Sequence, residues 1–395
     1  MSFTISPASR LQVVQEYYFS TKLKQIAALK ASGIPVLNLG IGSPDLAPSD
    51  ATIQALITSA QKKENHAYQG YQGIPALREA FAQFYHKQYQ VELNPNSEIL
   101  PLMGSKEGIM HIAMAYLEKG DITLIPNPGY PTYQAACALT GAEVQSYELS
   151  EANGWLPDLD ALAKRDLSQV KIMWVNYPHM PTGAKADKAF FEKLRDFAIA
   201  HSILLVNDNP YSFILNDEPI SMLSIPGMKD VALELNSLSK SHNMAGWRIG
   251  AVMGKQEFLA PILTFKSNMD SGMFLPLQEA AAEALKADSS WFKQQNEIYS
   301  SRQKVVFQLM DLLKCTYDPK QSGMFVWAKI PADFASGYEL SDLILKTIAV
   351  FITPGGIFGS QGNNYIRISL CAPISLFETA INRILKSNLK WYLIK

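Results

Sequence analysis

One lysine stands among hydroxyls in Ser237-Leu238-Ser239-Lys240-Ser241, and an arginine follows in Gly246-Trp247-Arg248-Ile249-Gly250. A lysine amine withdrawn from water loses its proton and becomes a nucleophile able to condense with an aldehyde. Serine hydroxyls and a guanidinium suit a phosphate dianion. The stretch therefore has the composition of a site for a cofactor with both an aldehyde and a phosphate, as in pyridoxal 5′-phosphate (PLP). Ser-x-Ser-Lys alone suits a solvated turn equally well, since most lysines lie at the surface. The decision rests on what accompanies it.

Further candidates stand at the ends of short apolar runs. Residues 203–206 lead into Asn207-Asp208-Asn209-Pro210-Tyr211, and an aspartate there is costly to desolvate unless paired, for which a protonated pyridine nitrogen is suitable. A strand over 100–103 enters Gly104-Ser105-Lys106-Glu107-Gly108, followed by a helix expected over 109–117. Unpaired N–H groups at a helix start favour phosphate, so Gly104, Ser105 and Lys106 are the expected cradle. Neither a dinucleotide fingerprint nor a Walker loop is present. Residues 36–39 run into Gly40-Ile41-Gly42-Ser43-Pro44-Asp45, and 121–125 end in Pro126-Asn127-Pro128-Gly129-Tyr130. Residues 170–175 close on Asn176-Tyr177-Pro178-His179-Met180-Pro181-Thr182-Gly183, and Tyr68-Gln69-Gly70 precedes a helix start at Pro75.

In this order and at about these spacings, over nearly the whole chain, the motifs resemble the fold-type I PLP-dependent aminotransferases, the group that includes aspartate aminotransferase. The resemblance implies that Lys240 holds PLP as an imine and moves the proton of the substrate α-carbon. It implies that Asp208 meets the ring nitrogen, Tyr211 the ring oxygen O3′, and Tyr130 the ring face. Gly104, Ser105, Lys106, Ser237, Ser239 and Arg248 would bind the phosphate, with Tyr68 reaching across a homodimer interface to the neighbour's cofactor. Arg367 and Gly42 would fix the substrate carboxylate. Relatives read Asn-Pro-Thr-Gly where this chain has Met180-Pro181-Thr182-Gly183. A thioether cannot donate the hydrogen bond that asparagine gives O3′, leaving Asn176 or His179 as possible substitutes at the substrate end. The implied reaction is ping-pong transfer of an amino group from an L-amino acid to a 2-oxo acid, with 2-oxoglutarate the habitual acceptor.

The elements needed to position these residues follow from periodicity. Strands alternating with helices imply an α/β fold with a mostly parallel sheet, seven-stranded in the family, beside a smaller α+β domain. Helices are expected over 17–31, 50–61, 278–286, 298–313 and 340–349, and late strands over 323–328 and 365–369. The division expected is 1–48 joining the small domain, 49–286 binding the cofactor, and 287–395 completing the small domain.

The 395 residues are 48% hydrophobic and balance 35 Lys+Arg against 36 Asp+Glu. That leaves no basic field for nucleic acid or membrane, so small-molecule substrates are expected. Cys137, Cys315 and Cys371 are too scattered for a disulfide framework or thiolate metal site, no metal is expected, and a reducing cytoplasm is the expected setting. A PLP-dependent carbon–sulfur lyase, or an enzyme like 1-aminocyclopropane-carboxylate synthase, would share the cofactor residues. A PLP-binding regulator lacks room here for a DNA-binding domain, and a nucleotide-binding oxidoreductase lacks its fingerprint.

Overall fold

The computed structural model describes residues 4–14, 16 and 18–387. In chain order its first strands are β1 (Leu37–Asn38), β2 (Ile99–Leu102), β3 (Ile122–Asn127), β4 (Glu143–Glu148), β5 (Val170–Val175), β6 (Leu204–Asp208), β7 (Ala232–Ser237) and β8 (Gly250–Gly254). β2 to β8 form one seven-stranded sheet in the order β2-β8-β7-β6-β5-β3-β4. β8 runs antiparallel to both β2 and β7, and the other pairings are parallel.

The run Val-Lys-Ile-Met-Trp-Val of β5 explains why the sheet is covered on both sides. Met173 and Val175 enter a core with Phe191 and Leu194, whereas Ile172 and Trp174 enter another with Ile109, Ile112 and Tyr133. A strand buried on both faces reads as a nearly continuous apolar run. β4, at the sheet's edge, instead carries exposed Glu143 and Glu148, charges that discourage pairing with another chain.

The chain continues through β9 (Thr316–Tyr317), β10 (Phe325–Lys329), β11 (Val350–Phe351), β12 (Thr353–Pro354) and β13 (Tyr365–Ser369). A second sheet has the order β12-β13-β10-β9, and β1 pairs in parallel with β11. Val326, Ile344, Ile366, Ile368 and Phe377 lie in a separate apolar core around it. The N-terminal strand thus packs with late elements of the chain.

Some boundaries differ from expectation. The helix expected over 109–117 spans Ser105–Tyr116, because Gly104, at φ 89°, turns the chain early enough for Ser105 to begin it. The helix at 17–31 is described as Tyr18–Ala31, with Tyr17 outside the described residues. The long helix begins well before 298, spanning Ser289–Leu312, because Asp288 caps it by accepting the N–H groups of Ser290 and Trp291.

Candidate active site

Strand ends of the large sheet deliver most of the polar residues to one cavity of about 640 Å³. Lys240 lies in the single turn Leu238–Ser241 that follows β7 directly, capped by the Ser237 hydroxyl accepting the Ser239 N–H. Its Nζ donates to the Gly42 carbonyl at 2.7 Å. Burial lowers the Lys240 pKa, and the Arg367 and Arg248 charges act in the same direction against the opposing pull of Cys371 and Asp208. The neutral amine is the form such surroundings favour.

Asp208, the last residue of β6, faces Lys240 from the same floor. Its Oδ2 accepts from the Tyr133 hydroxyl at 2.9 Å, while Oδ1 is buried without a hydrogen-bond partner. Burial pushes its pKa up to about 6, against Tyr133, Ser105 and Lys240, which lower it. An orphaned carboxylate oxygen in a cavity is costly, and a ring N–H is the partner that would remove that cost.

The phosphate-binding candidates gather at the start of the helix Ser105–Tyr116. Arg248 Nη1 donates to the Ser239 hydroxyl at 3.2 Å and Nη2 to the Met103 carbonyl at 3.5 Å. A Cβ at position 104 would meet the Arg248 guanidinium, which would have to shift, and the positive φ there is what favours glycine. Burial and then Arg248 lower the Lys106 pKa, the direction expected where two cations lie close together.

Opposite this cup, Arg367 enters from β13, an interior strand of the second sheet, and is 4% exposed rather than an edge residue in water. Its Nη2 donates to the Gly40 carbonyl at 2.8 Å, and its Nη1 lies 3.3 Å from Met180 Sδ. The guanidinium carbon sits 3.9, 4.7 and 5.6 Å from the ring centroids of Phe325, Phe358 and Phe19. Such faces stabilise a cation, and a planar guanidinium fork is suited to a carboxylate.

A family model described as aminotransferase class I and II matches residues 34–384. The chain belongs to this family. This aminotransferase is 38% identical over 379 residues to an LL-diaminopimelate aminotransferase of Dehalococcoides mccartyi, covering 95% of this chain and 97% of that one. It is 39% identical over 383 residues to the enzyme of the same name from Oleidesulfovibrio alaskensis, with 95% and 98% covered. The substrate-bound structure of BacF from Bacillus subtilis superimposes with a TM-score of 0.92 at 34% identity, over 97% of this chain and 98% of that one. The fold is that of the fold-type I enzymes, the activity is transfer of an amino group to a 2-oxo acid, and the cofactor is PLP.

The residues of this aminotransferase fit that cofactor on chemical grounds: a buried amine of lowered pKa, an orphaned buried carboxylate oxygen, and a cationic cup at a helix start. Gly42, Ser105, Lys106, Tyr130, Asn176, Met180, Asp208, Tyr211, Ser237, Ser239, Lys240, Arg248 and Arg367 all line the one cavity. Tyr68 does not line it and is 90% exposed. The polar ends of Asn176 are already committed, donating to the Asp208 carbonyl at 2.5 Å and accepting the Met180 N–H at 2.8 Å. His179 bonds Thr182 through Nδ1 at 2.8 Å, and burial drops its pKa to about 3, against a backbone bond to Pro128.

Tyr133, Phe325 and Phe358 are cavity residues that the sequence reading misses. A signal existed for Tyr133, which follows Tyr130 by one helical turn past Pro131 and so returns to the same face. The phenylalanines come from distant stretches and carry no local signature.

Proposed function

We propose that the protein is a homodimeric cytoplasmic aminotransferase in which Lys240, Asp208 and Arg367 act on the substrate and cofactor as their placement suggests. The observation that carries this reading is the convergence of an amine, a carboxylate and two separate arginines on one cavity. When bound, PLP supplies an electron sink for the electrons released at the substrate α-carbon. Arg367 grips the α-carboxylate, with the Gly42 backbone beside it, and so aims the α-hydrogen at Lys240. Uncharged Lys240 takes that proton as a base and, once charged, can return it as an acid. Asp208 keeps the cofactor's ring nitrogen protonated, and Tyr211, with its pKa raised by burial, remains a hydroxyl able to donate to O3′.

The homodimer reading is supported by a charge count. Among the described residues the cations lining the cavity are Lys106, Lys240, Arg248 and Arg367, and each has a role in this scheme. A distal carboxylate on the substrate would therefore find its cation outside the described residues, and a neighbour's exposed Tyr68 loop is one place for it. The names of the relatives support LL-diaminopimelate as the first donor to try, with 2-oxoglutarate as acceptor. Residues 49–286 would bind the cofactor, with 1–48 and 287–395 forming the smaller domain.

The test is the visible spectrum of the PLP-loaded protein mixed with single amino acids and no oxo acid. Loss of the bound-cofactor band, its return on adding 2-oxoglutarate, and neither change in Lys240→Ala are expected. Release of ammonia and a 2-oxo acid without any acceptor would replace this reading with a lyase.

A further inference from the structure

Outside the cavity lining, four ionisable side chains meet beside the cup, His111 and Lys266 buried and Glu107 and Asp270 half-buried. Glu107 and His111 belong to the helix Ser105–Tyr116, Lys266 to the helix Gln256–Ser267, and Asp270 to the segment after it. Glu107 Oε1 lies 3.2 Å from His111 Nε2 without a hydrogen bond between them, and Lys266 Nζ donates to Asp270 Oδ2 at 2.6 Å. Ligand-type atoms of Glu107, His111 and Asp270 fall within 4.8 Å of one another, the spacing of a metal site. Here the Lys266 ammonium, fully buried, already supplies the cation. Burying such groups seldom repays its desolvation cost in stability, so what the cluster holds in place becomes the question.

Each end of the cluster grips the main chain at a point that matters to the cofactor. Glu107 Oε2 accepts the Met103 N–H at 2.5 Å, and the Met103 carbonyl accepts from Arg248. The peptide units flanking Met103 are thus held from two sides, immediately before Gly104 and the helix start. At the other end, Asp270 Oδ1 accepts the Gly272 N–H at 3.0 Å. Gly272, at φ 85°, lies so close to Gln69 that a Cβ would strike the Gln69 carbonyl. Tyr68 is the next residue back along the chain.

We propose that Glu107, His111, Lys266 and Asp270 form a charge lock whose members are positioning residues, setting the phosphate-binding turn at Met103–Lys106 and tying it to the loop that presents Tyr68. The second half rests on the reading of Tyr68 as a contact to the neighbour's cofactor. Glu107 orients donors without touching the phosphate, and its removal frees the turn while leaving Ser105, Lys106 and Arg248 in the chain. The same lock links the cup a subunit uses with the tyrosine it offers, a coupling between sites that a double-mutant cycle can measure.

The experiment uses the PLP-loaded protein and reads the PLP dissociation constant on dialysis, together with the ³¹P resonance of the bound phosphate. Glu107→Ala is expected to raise the dissociation constant ~10-fold or more, the usual scale for a hydrogen bond to a charged group, and to shift the resonance. Glu107→Gln, which keeps an acceptor for Met103, should recover most of both. The paired exchange Lys266→Met with Asp270→Leu removes both charges together and so should fold; it should shift the resonance and shrink the penalty of Tyr68→Phe. It also supplies the ³¹P readout if Glu107→Ala does not fold. Unchanged affinity and resonance in Glu107→Ala, or in the paired exchange where that variant must stand in, overturn the lock. Strict additivity of Tyr68→Phe with the paired exchange overturns the tie to Tyr68. No effect of Tyr68→Phe alone overturns the reading of Tyr68 itself, and the Glu107 comparison still decides the first half.

Discussion

The two ends of the cavity are built by different means. The phosphate end is mostly two continuous turns, Met103–Lys106 and Ser237–Lys240, each at the end of a strand of the same sheet and joined by Arg248. The carboxylate end has no such unit. Arg367, Phe325, Phe358, Phe19, Met180 and the Gly40 carbonyl come from separate stretches and meet only because β1, β10 and β13 pack together with the helix Tyr18–Ala31. That end is braced from behind by Arg302, whose Nη1 and Nη2 donate to the Asp45 carboxylate at 2.6 and 2.8 Å, and whose Nη1 also reaches the Leu370 carbonyl. In the proposed scheme an anion at the turns is shared among several backbone and side-chain donors, whereas one held by Arg367 depends on that side chain.

The sharpest way to break this contrast is Arg367→Ala. Losing the buried partner of a carboxylate costs about 4 kcal/mol, within the range for truncating a desolvated charge pair, so kcat/KM should fall about 10³-fold. PLP affinity, set at the other end, should stay within about threefold. Steady-state kinetics beside a PLP titration check both, and an equal loss of PLP affinity would mean that the two ends do not act separately.

The floor between the ends can be tested without cofactor. The Asp208 carboxyl has its pKa raised by burial from 3.8 to about 6 in the cofactor-free protein. A carboxyl so raised contributes stability below its unfolded value, and that contribution is lost as pH rises through the folded value. Cofactor-free protein should therefore lose about 3 kcal/mol of stability between roughly pH 4 and 6 on this account alone. Asp208→Asn should raise the Tm of the cofactor-free protein at pH 8 and leave it nearly unchanged at pH 4, even though the variant binds PLP less well. Calorimetry at the two pH values decides it, and an equal shift at both would rule out the charge as the cause.

The contrast also governs what could be read from the chain. The turns Met103–Lys106 and Ser237–Lys240 were legible because their residues are neighbours in sequence, and glycine, serine and lysine at a strand's end announce such a turn. β5 and β13 were legible from their apolar runs, and their observed limits are those expected. β4, β7 and β8 went unnamed. β7 reads Ala-Leu-Glu-Leu-Asn-Ser, and its Glu234 masks the apolar pattern. That carboxylate is buried and fully bonded, accepting from Tyr85, Ser221, Asn207 and the Met222 N–H, which are partners no local window contains. Phe325 and Phe358, which face Arg367 from distant stretches, were illegible for the same reason.

Met180 is where the two ends meet, so its substitution gives the smallest and most discriminating effect. Its sulfur touches Arg367 at the carboxylate end, yet the resemblance read from the sequence implies that an amide at this position would reach O3′ of the cofactor ring. An amide in that position can do both, its carbonyl accepting from Arg367 and its NH₂ donating to the ring oxygen. A donated hydrogen bond favours the ionised form of its acceptor. Met180→Asn should therefore lower the pH midpoint of the bound cofactor's visible spectrum, by up to about one unit, while changing KM only slightly because Arg367 keeps a neighbour that accepts its hydrogen bond. A spectral titration beside KM measurements separates the outcomes. A shifted midpoint with constant KM means that the thioether cost this site a donor and nothing else. An unmoved midpoint means that Tyr211 alone governs the ring oxygen, and that Met180 belongs wholly to the carboxylate end.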